Sequence, residues 1–158
     1  MKNDTISLWG EKRYHSLDYY LNNTYHEKVY RIALNAGLSC PNRDGRLDTR
    51  GCIFCSAGGS GDFAASPTLS ITEQLETEKR ILRAKRNCNK FIAYFQAFTN
   101  TYGSVEHLRD LYMQAVNDPD VVIISIATRP DCLQPEILSL LAEINEKKTV
   151  WVELGLQT

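Results

Sequence analysis

The chain has 158 residues, 43% of them hydrophobic and 23% charged, and its 18 basic and 19 acidic side chains leave a formal net charge of −1. This length and composition suit one domain with a real core. So even a balance creates no global field to draw nucleic acid or an anionic membrane. No run of about eighteen apolar residues marks a membrane span, and the opening Met1-Lys-Asn-Asp-Thr-Ile-Ser lacks a secretory signal, so we expect a cytoplasmic protein with no membrane partner.

The first 28 residues are polar and aromatic and are expected to form an N-terminal extension packed on the outside or bottom of a core spanning 29–158. Val29-Tyr-Arg-Ile-Ala-Leu reads as the first strand and leads into a cysteine-rich loop. Ser70-Ile-Thr-Glu73 has the pattern of a capping box, which predicts a helix to about Arg86 with Leu75, Ile81 and Leu82 as its apolar stripe. The basic residues from Lys79 to Arg86 are then its solvated face. Phe91-Ile-Ala-Tyr-Phe-Gln-Ala-Phe reads as strand two. A helix from Ser104 follows, with Val105, Leu108, Leu111, Tyr112 and Ala115 on one face and a stop before Pro119. Val121-Val-Ile-Ile-Ser-Ile-Ala is strand three. The next helix has Pro135 in its first turn, Ile137, Leu138, Leu141 and Ile144 inward and Lys147 and Lys148 in its last turn. Val150-Trp-Val-Glu-Leu-Gly-Leu is strand four.

Strands two to four are short, mostly continuous apolar runs, the signature of parallel strands buried on both faces. Alternation with helices predicts right-handed βαβ units and an α/β fold whose functional loops follow the C-terminal strand ends. Three such loops, one with the cysteines, one at Thr99-Asn-Thr-Tyr and one at Thr128-Arg-Pro-Asp-Cys, are expected on one rim. A closed βα barrel needs about 250 residues. The expectation is therefore the first half, about four strands, of a partial TIM-type barrel, truncated after the fourth strand.

Three of the five cysteines, Cys40, Cys52 and Cys55, fall within sixteen residues. In a chain without an export signal, clustered cysteines point to metal or redox chemistry rather than disulfides. Structural zinc wants four ligands, whereas a 4Fe-4S cluster held by three thiolates keeps one iron open to a substrate or cofactor. The alternative is a non-catalytic zinc-binding module that recognises RNA or a protein. It would need a fourth ligand at fixed local spacing, such as a second Cys-x2-Cys, and none is present. His15, His26 and His107 are isolated and read as solvated or structural. Cys88 reads as structural, and Cys132 as a rim cysteine. Gly58-Gly-Ser-Gly61 is either a close approach of backbone to a cofactor or a surface turn; no Gly-Lys-Ser/Thr follows to make a P-loop.

A cysteine loop after the first strand, ending Cys52-Ile-Phe-Cys55, resembles the radical S-adenosylmethionine (SAM) superfamily, although the first gap is eleven residues where three is commonest. Long first gaps occur in the branch that includes the catalytic subunit of Elongator. The wording Cys40-Pro-Asn-Arg-Asp-Gly45, Tyr94-Phe-Gln-Ala-Phe-Thr-Asn-Thr-Tyr102, Thr128-Arg-Pro-Asp131 and Glu153-Leu-Gly-Leu-Gln157 is similar to the bacterial YhcC-like family. That resemblance implies a radical SAM barrel. It implies a 4Fe-4S cluster on Cys40, Cys52 and Cys55, and SAM cleaved reductively to methionine and a 5′-deoxyadenosyl radical. Phe54, Gln96, Thr99, Asn100, Arg129 and Gln157 are the implied SAM contacts, although the Gly-Gly-Glu wording of many relatives is missing after strand two. An electron donor such as flavodoxin or ferredoxin is implied as a partner, and an RNA such as tRNA as substrate by analogy with the Elongator branch.

Overall fold

A computed structural model describes residues 9–53, 55–56 and 64–155. Its elements follow the order α1 (Leu17–Tyr25), β1 (Val29–Leu34), α2 (Ile71–Lys85), β2 (Lys90–Phe95), α3 (Val105–Val116), β3 (Val121–Thr128), a 3-10 turn (Pro130–Cys132), α4 (Pro135–Asn145) and β4 (Thr149–Leu154). The strands pair in parallel in the order β1-β2-β3-β4. This is an α/β fold in which each helix after β1 is a crossover between neighbouring strands, so every strand's C-terminal end points to one rim.

Side chains alternate across a strand, and the two faces are covered differently. On one face Ile32, Leu34, Phe91, Phe95, Ile124 and Ile126 join Ile71 and Leu75 of α2, Leu108 and Tyr112 of α3, and Ile137 and Leu140 of α4 in the main core. On the other, Val29, Ile92 and Ile123 pack against Leu21 of α1, with Tyr20 and Trp151 beside them at 6.1 Å between rings. Helix α1 went unseen in the sequence because only Leu21 is buried along it. Its start is nonetheless marked by Ser16, whose hydroxyl accepts from the Tyr19 N–H at 3.2 Å.

The capping box on α2 is complete. The Glu73 N–H donates to Ser70 Oγ at 3.2 Å, and Glu73 Oε2 accepts from the Ser70 N–H at 2.8 Å. Two otherwise orphaned backbone donors are satisfied. Ser70→Ala is therefore expected to lower stability by about 1 kcal/mol, read as a lower denaturant midpoint at unchanged slope.

Several expectations are corrected. Ile81 is 42% exposed and Leu138 51% exposed; the inward positions of these helices are Ile71 and Leu75 in α2 and Leu140 in α4. The neighbours one position away from Ile81 and Leu138, Leu82 and Ile137, take the core side instead. Lys79 is not on a solvated face but 3% exposed. Strand β2 ends at Phe95, short of Phe98, whose φ of 62° lies in the left-handed region that no strand uses. Helix α4 stops at Asn145, so Lys147 and Lys148 lie beyond it. Strand β4 is not buried on both faces: Val152 is 39% exposed, because among the described residues β4 pairs on one flank only.

Candidate functional site

The cysteine loop leaves β1 and folds on itself through backbone hydrogen bonds. The Cys40 carbonyl accepts from the N–H groups of Arg43 (2.8 Å) and Asp44 (3.2 Å), and the Pro41 carbonyl from Leu47 (2.8 Å). The Gly51 N–H closes the long gap by donating to the Asn42 carbonyl at 2.8 Å. Gly51 has φ +76°, and a Cβ there would meet Arg43 Nε at 2.9 Å. Only glycine fits without a shift. Cys52 and Cys55 share a tight turn, with the Cys55 N–H donating to the Cys52 carbonyl at 3.0 Å. Tyr102, beyond β2, donates its hydroxyl to Asp44 Oδ2 at 2.6 Å and fixes the loop's outer side.

The result is one cavity of about 340 Å³ at the C-terminal end of the sheet, lined by Cys40, Cys52 and Cys55 together with Thr99, Thr128, Arg129 and Glu153. Cys40 is buried, while Cys52 and Cys55 are half-buried. Burial first, and then the neighbouring Cys52 sulfur, push the Cys55 thiol above its ordinary range, with Arg43 opposing. Asn42 Nδ2 donates to Cys52 Sγ at 3.2 Å. Arg43 stacks on the Phe98 ring at 4.9 Å and donates to the Ser56 carbonyl. Among the described residues no three His, Cys, Asp or Glu side chains converge closely enough to grip a metal ion. A multi-iron cluster asks something different: thiolates standing around a space that can take it.

The remaining SAM-contact expectations divide. Thr99 and Arg129 line the cavity. Arg129 is already engaged, its Nε and Nη2 donating to the two Asp131 carboxylate oxygens at 2.9 and 2.8 Å. That fork is the bidentate geometry a carboxylate ligand would use, and the hydrogen bonding raises the Arg129 pKa further. Asn100 is 0% exposed and clips the exit of β2 to β3, its Nδ2 donating to the carbonyls of Ala97 (2.9 Å) and Ala127 (3.1 Å). Its Oδ1 is buried with no partner among the described residues. Gln96 is half-buried just past β2 and does not line the cavity; its N–H donates to the Leu34 carbonyl at 2.9 Å. Phe54 and Gln157 lie outside the described residues. Cys132 is buried, its thiol raised first by burial and then by Asp131, and Cys88 sits in the main core.

Sequence reading missed a polar network at the cavity, which Tyr94 and Glu153 line. Glu153 Oε1 accepts from Ser125 Oγ at 2.7 Å and meets Arg31 at 3.5 Å, while the Arg31 guanidinium lies 4.5 Å over the Tyr94 ring. Burial first, and then the Glu153 charge, raise the Tyr94 pKa, so the phenol stays protonated. The signal was present: Glu153 is the one charge in the run from Val150 to Leu154, and period two puts it on the face opposite the main core.

No family model matches the chain. It is similar to uncharacterized protein YtqA of Bacillus subtilis, at 51% identity over 94% of this chain and 46% of that protein. It is also similar to protein YhcC of Escherichia coli K12, at 43% identity over 87% of this chain and 44% of YhcC. Uncharacterized protein MJ0486 of Methanocaldococcus jannaschii is 32% identical over 88% and 42%. The chain thus spans less than half the length of the curated relatives it matches. Their names state no activity. The resemblance to the radical SAM superfamily and its Elongator branch is corrected accordingly: neither a family model nor a relative's name carries that link, and the likeness found is to YtqA, YhcC and MJ0486.

Proposed function

We propose that the protein is an iron–sulfur enzyme: Cys40, Cys52 and Cys55 hold a 4Fe-4S cluster, and SAM is cleaved reductively to methionine and a 5′-deoxyadenosyl radical that takes a hydrogen atom from a substrate. The observation that carries the reading is that all three thiols line one cavity at the C-terminal rim of a parallel sheet, where α/β folds gather their ligands. When bound, such a cluster supplies one electron and an open iron, and an external carrier such as flavodoxin or ferredoxin would replace the electron. The same reading takes the sequential sheet as the first four strands of a TIM-type barrel.

The chain's own residues have separate tasks in this scheme. The self-bonded loop and Gly51 hold the thiols in place, and thiolates rather than thiols must bind iron, so loading releases protons. Thr99 and Thr128 line the rim at which a polar ligand would sit. Glu153, held by Ser125 and Arg31, and the protonated Tyr94 give the cavity lining hydrogen-bonding groups beside the thiols.

The reconstituted chain, reduced with dithionite under anaerobic conditions in the presence of SAM, is expected to release 5′-deoxyadenosine, detectable by chromatography and mass. Loaded protein that yields none would remove the catalytic half of the proposal.

A further inference from the structure

We infer that Asn42 is a positioning residue that sets the cluster's reduction potential through Cys52. The inference rests on the cluster reading above and on two contacts from one residue. The Asn42 carbonyl accepts from the Gly51 N–H at 2.8 Å, which closes the eleven-residue gap. The Asn42 side-chain amide then donates to Cys52 Sγ at 3.2 Å, well inside hydrogen-bonding range for sulfur. The first contact fixes the second, because it locks the Asn42 backbone against the residue that precedes Cys52. Asn42 also lines the cavity, so its amide lies at the thiols rather than at the loop's outer surface.

The consequence follows from electrostatics. A reduced cluster carries one more negative charge than the oxidised form, and part of that charge resides on its thiolate sulfurs. An N–H donated to one of them stabilises the reduced form more than the oxidised one. Hydrogen bonds to sulfur and local charge are among the factors that set cluster potentials. Asn42 therefore makes the first electron easier to accept. Asp, nearly the same shape, would replace the donor with a carboxylate. Ala would remove it and leave the backbone bond to Gly51 in place.

The test uses the full chain, loaded with iron and sulfide, in an optical and EPR redox titration without SAM. Wild type, Asn42→Ala and Asn42→Asp are compared at equal iron content. The expected result is that the ratio of reduced to oxidised cluster at a fixed potential falls about tenfold in Asn42→Ala, which for one electron is about 59 mV, and further in Asn42→Asp. Loaded variants that titrate with wild type would overturn the inference and leave the cluster reading intact. If one variant sheds iron, the other gives the answer; if both do, Asn42 holds the loop rather than tuning the centre, and the inference is overturned. A wild-type chain that takes up no iron would overturn the cluster reading and this inference with it.

Discussion

Cys40→Ala, Cys52→Ala and Cys55→Ala are each expected to take iron from about four per chain to near zero after reconstitution, while Cys88→Ala retains it. The contrast follows from placement. The first three thiols line one cavity, whereas Cys88 is 2% exposed in the main core. With three thiolates for four irons there is no spare protein ligand among the cysteines that line the cavity, so losing one leaves two irons open and a centre prone to break up. Iron and sulfide assays check this, with circular dichroism showing that the variants stay folded. Full iron in any of the three variants would contradict the assignment of that thiol.

Lys79→Met is expected to cost about 3 kcal/mol of stability, the low end for removing one partner of a buried ion pair. Lys79 Nζ reaches Asp118 Oδ2 at 2.7 Å, Asp120 Oδ2 at 3.1 Å and Glu76 Oε1 at 2.7 Å, with its side chain 4% exposed and that of Asp118 7%. Burial works against the Lys79 charge, but the hydrogen bonds to Asp118, Glu76 and Asp120 outweigh it and raise the pKa. The ammonium therefore stays charged, and its removal strands the buried Asp118 carboxylate. Arg83, 3.0 Å from Asp120, compensates in part, as does Lys148, which donates to the Asp118 and Val121 carbonyls. For that reason the loss should not reach the upper end of the range. Adding Asp118→Asn keeps an acceptor for the Asp120 N–H, now 2.9 Å from Asp118 Oδ1, and removes the stranded charge, so the double variant should recover at least about 1 kcal/mol. Denaturant unfolding checks both. A loss below about 1 kcal/mol in Lys79→Met would mean that the site admits water.

The sequence made the scaffold legible where local chemistry and long-range packing agree. The β-branched runs became parallel strands, Ser70 and Glu73 started α2 at the expected residue, and Leu108, Tyr112 and Ala115 became the buried stripe of α3. Failures came where a tertiary partner decides the outcome. Lys79 looked solvated because its partners Asp118 and Asp120 lie about forty residues away in the loop before β3. Phe98 looked like a strand residue because an aromatic after Gln96-Ala97 does not announce a left-handed backbone. In the site, the three cysteines could be picked out by their spacing, and the structure puts them on one cavity. Arg129 could be picked out by type but not by its internal partner Asp131, and Asn100 proved to be a buried clip rather than a lining residue. The network of Arg31, Tyr94, Ser125 and Glu153, of which Tyr94 and Glu153 line the cavity, draws on all four strands, which no local window contains.

The most direct test of the account is to purify the chain without oxygen, reconstitute it with iron and sulfide, and record iron content and the EPR spectrum of the reduced form before and after adding SAM. About four irons per chain and a cluster signal that changes when SAM is added are expected. One tightly held zinc with no cluster signal would contradict the account.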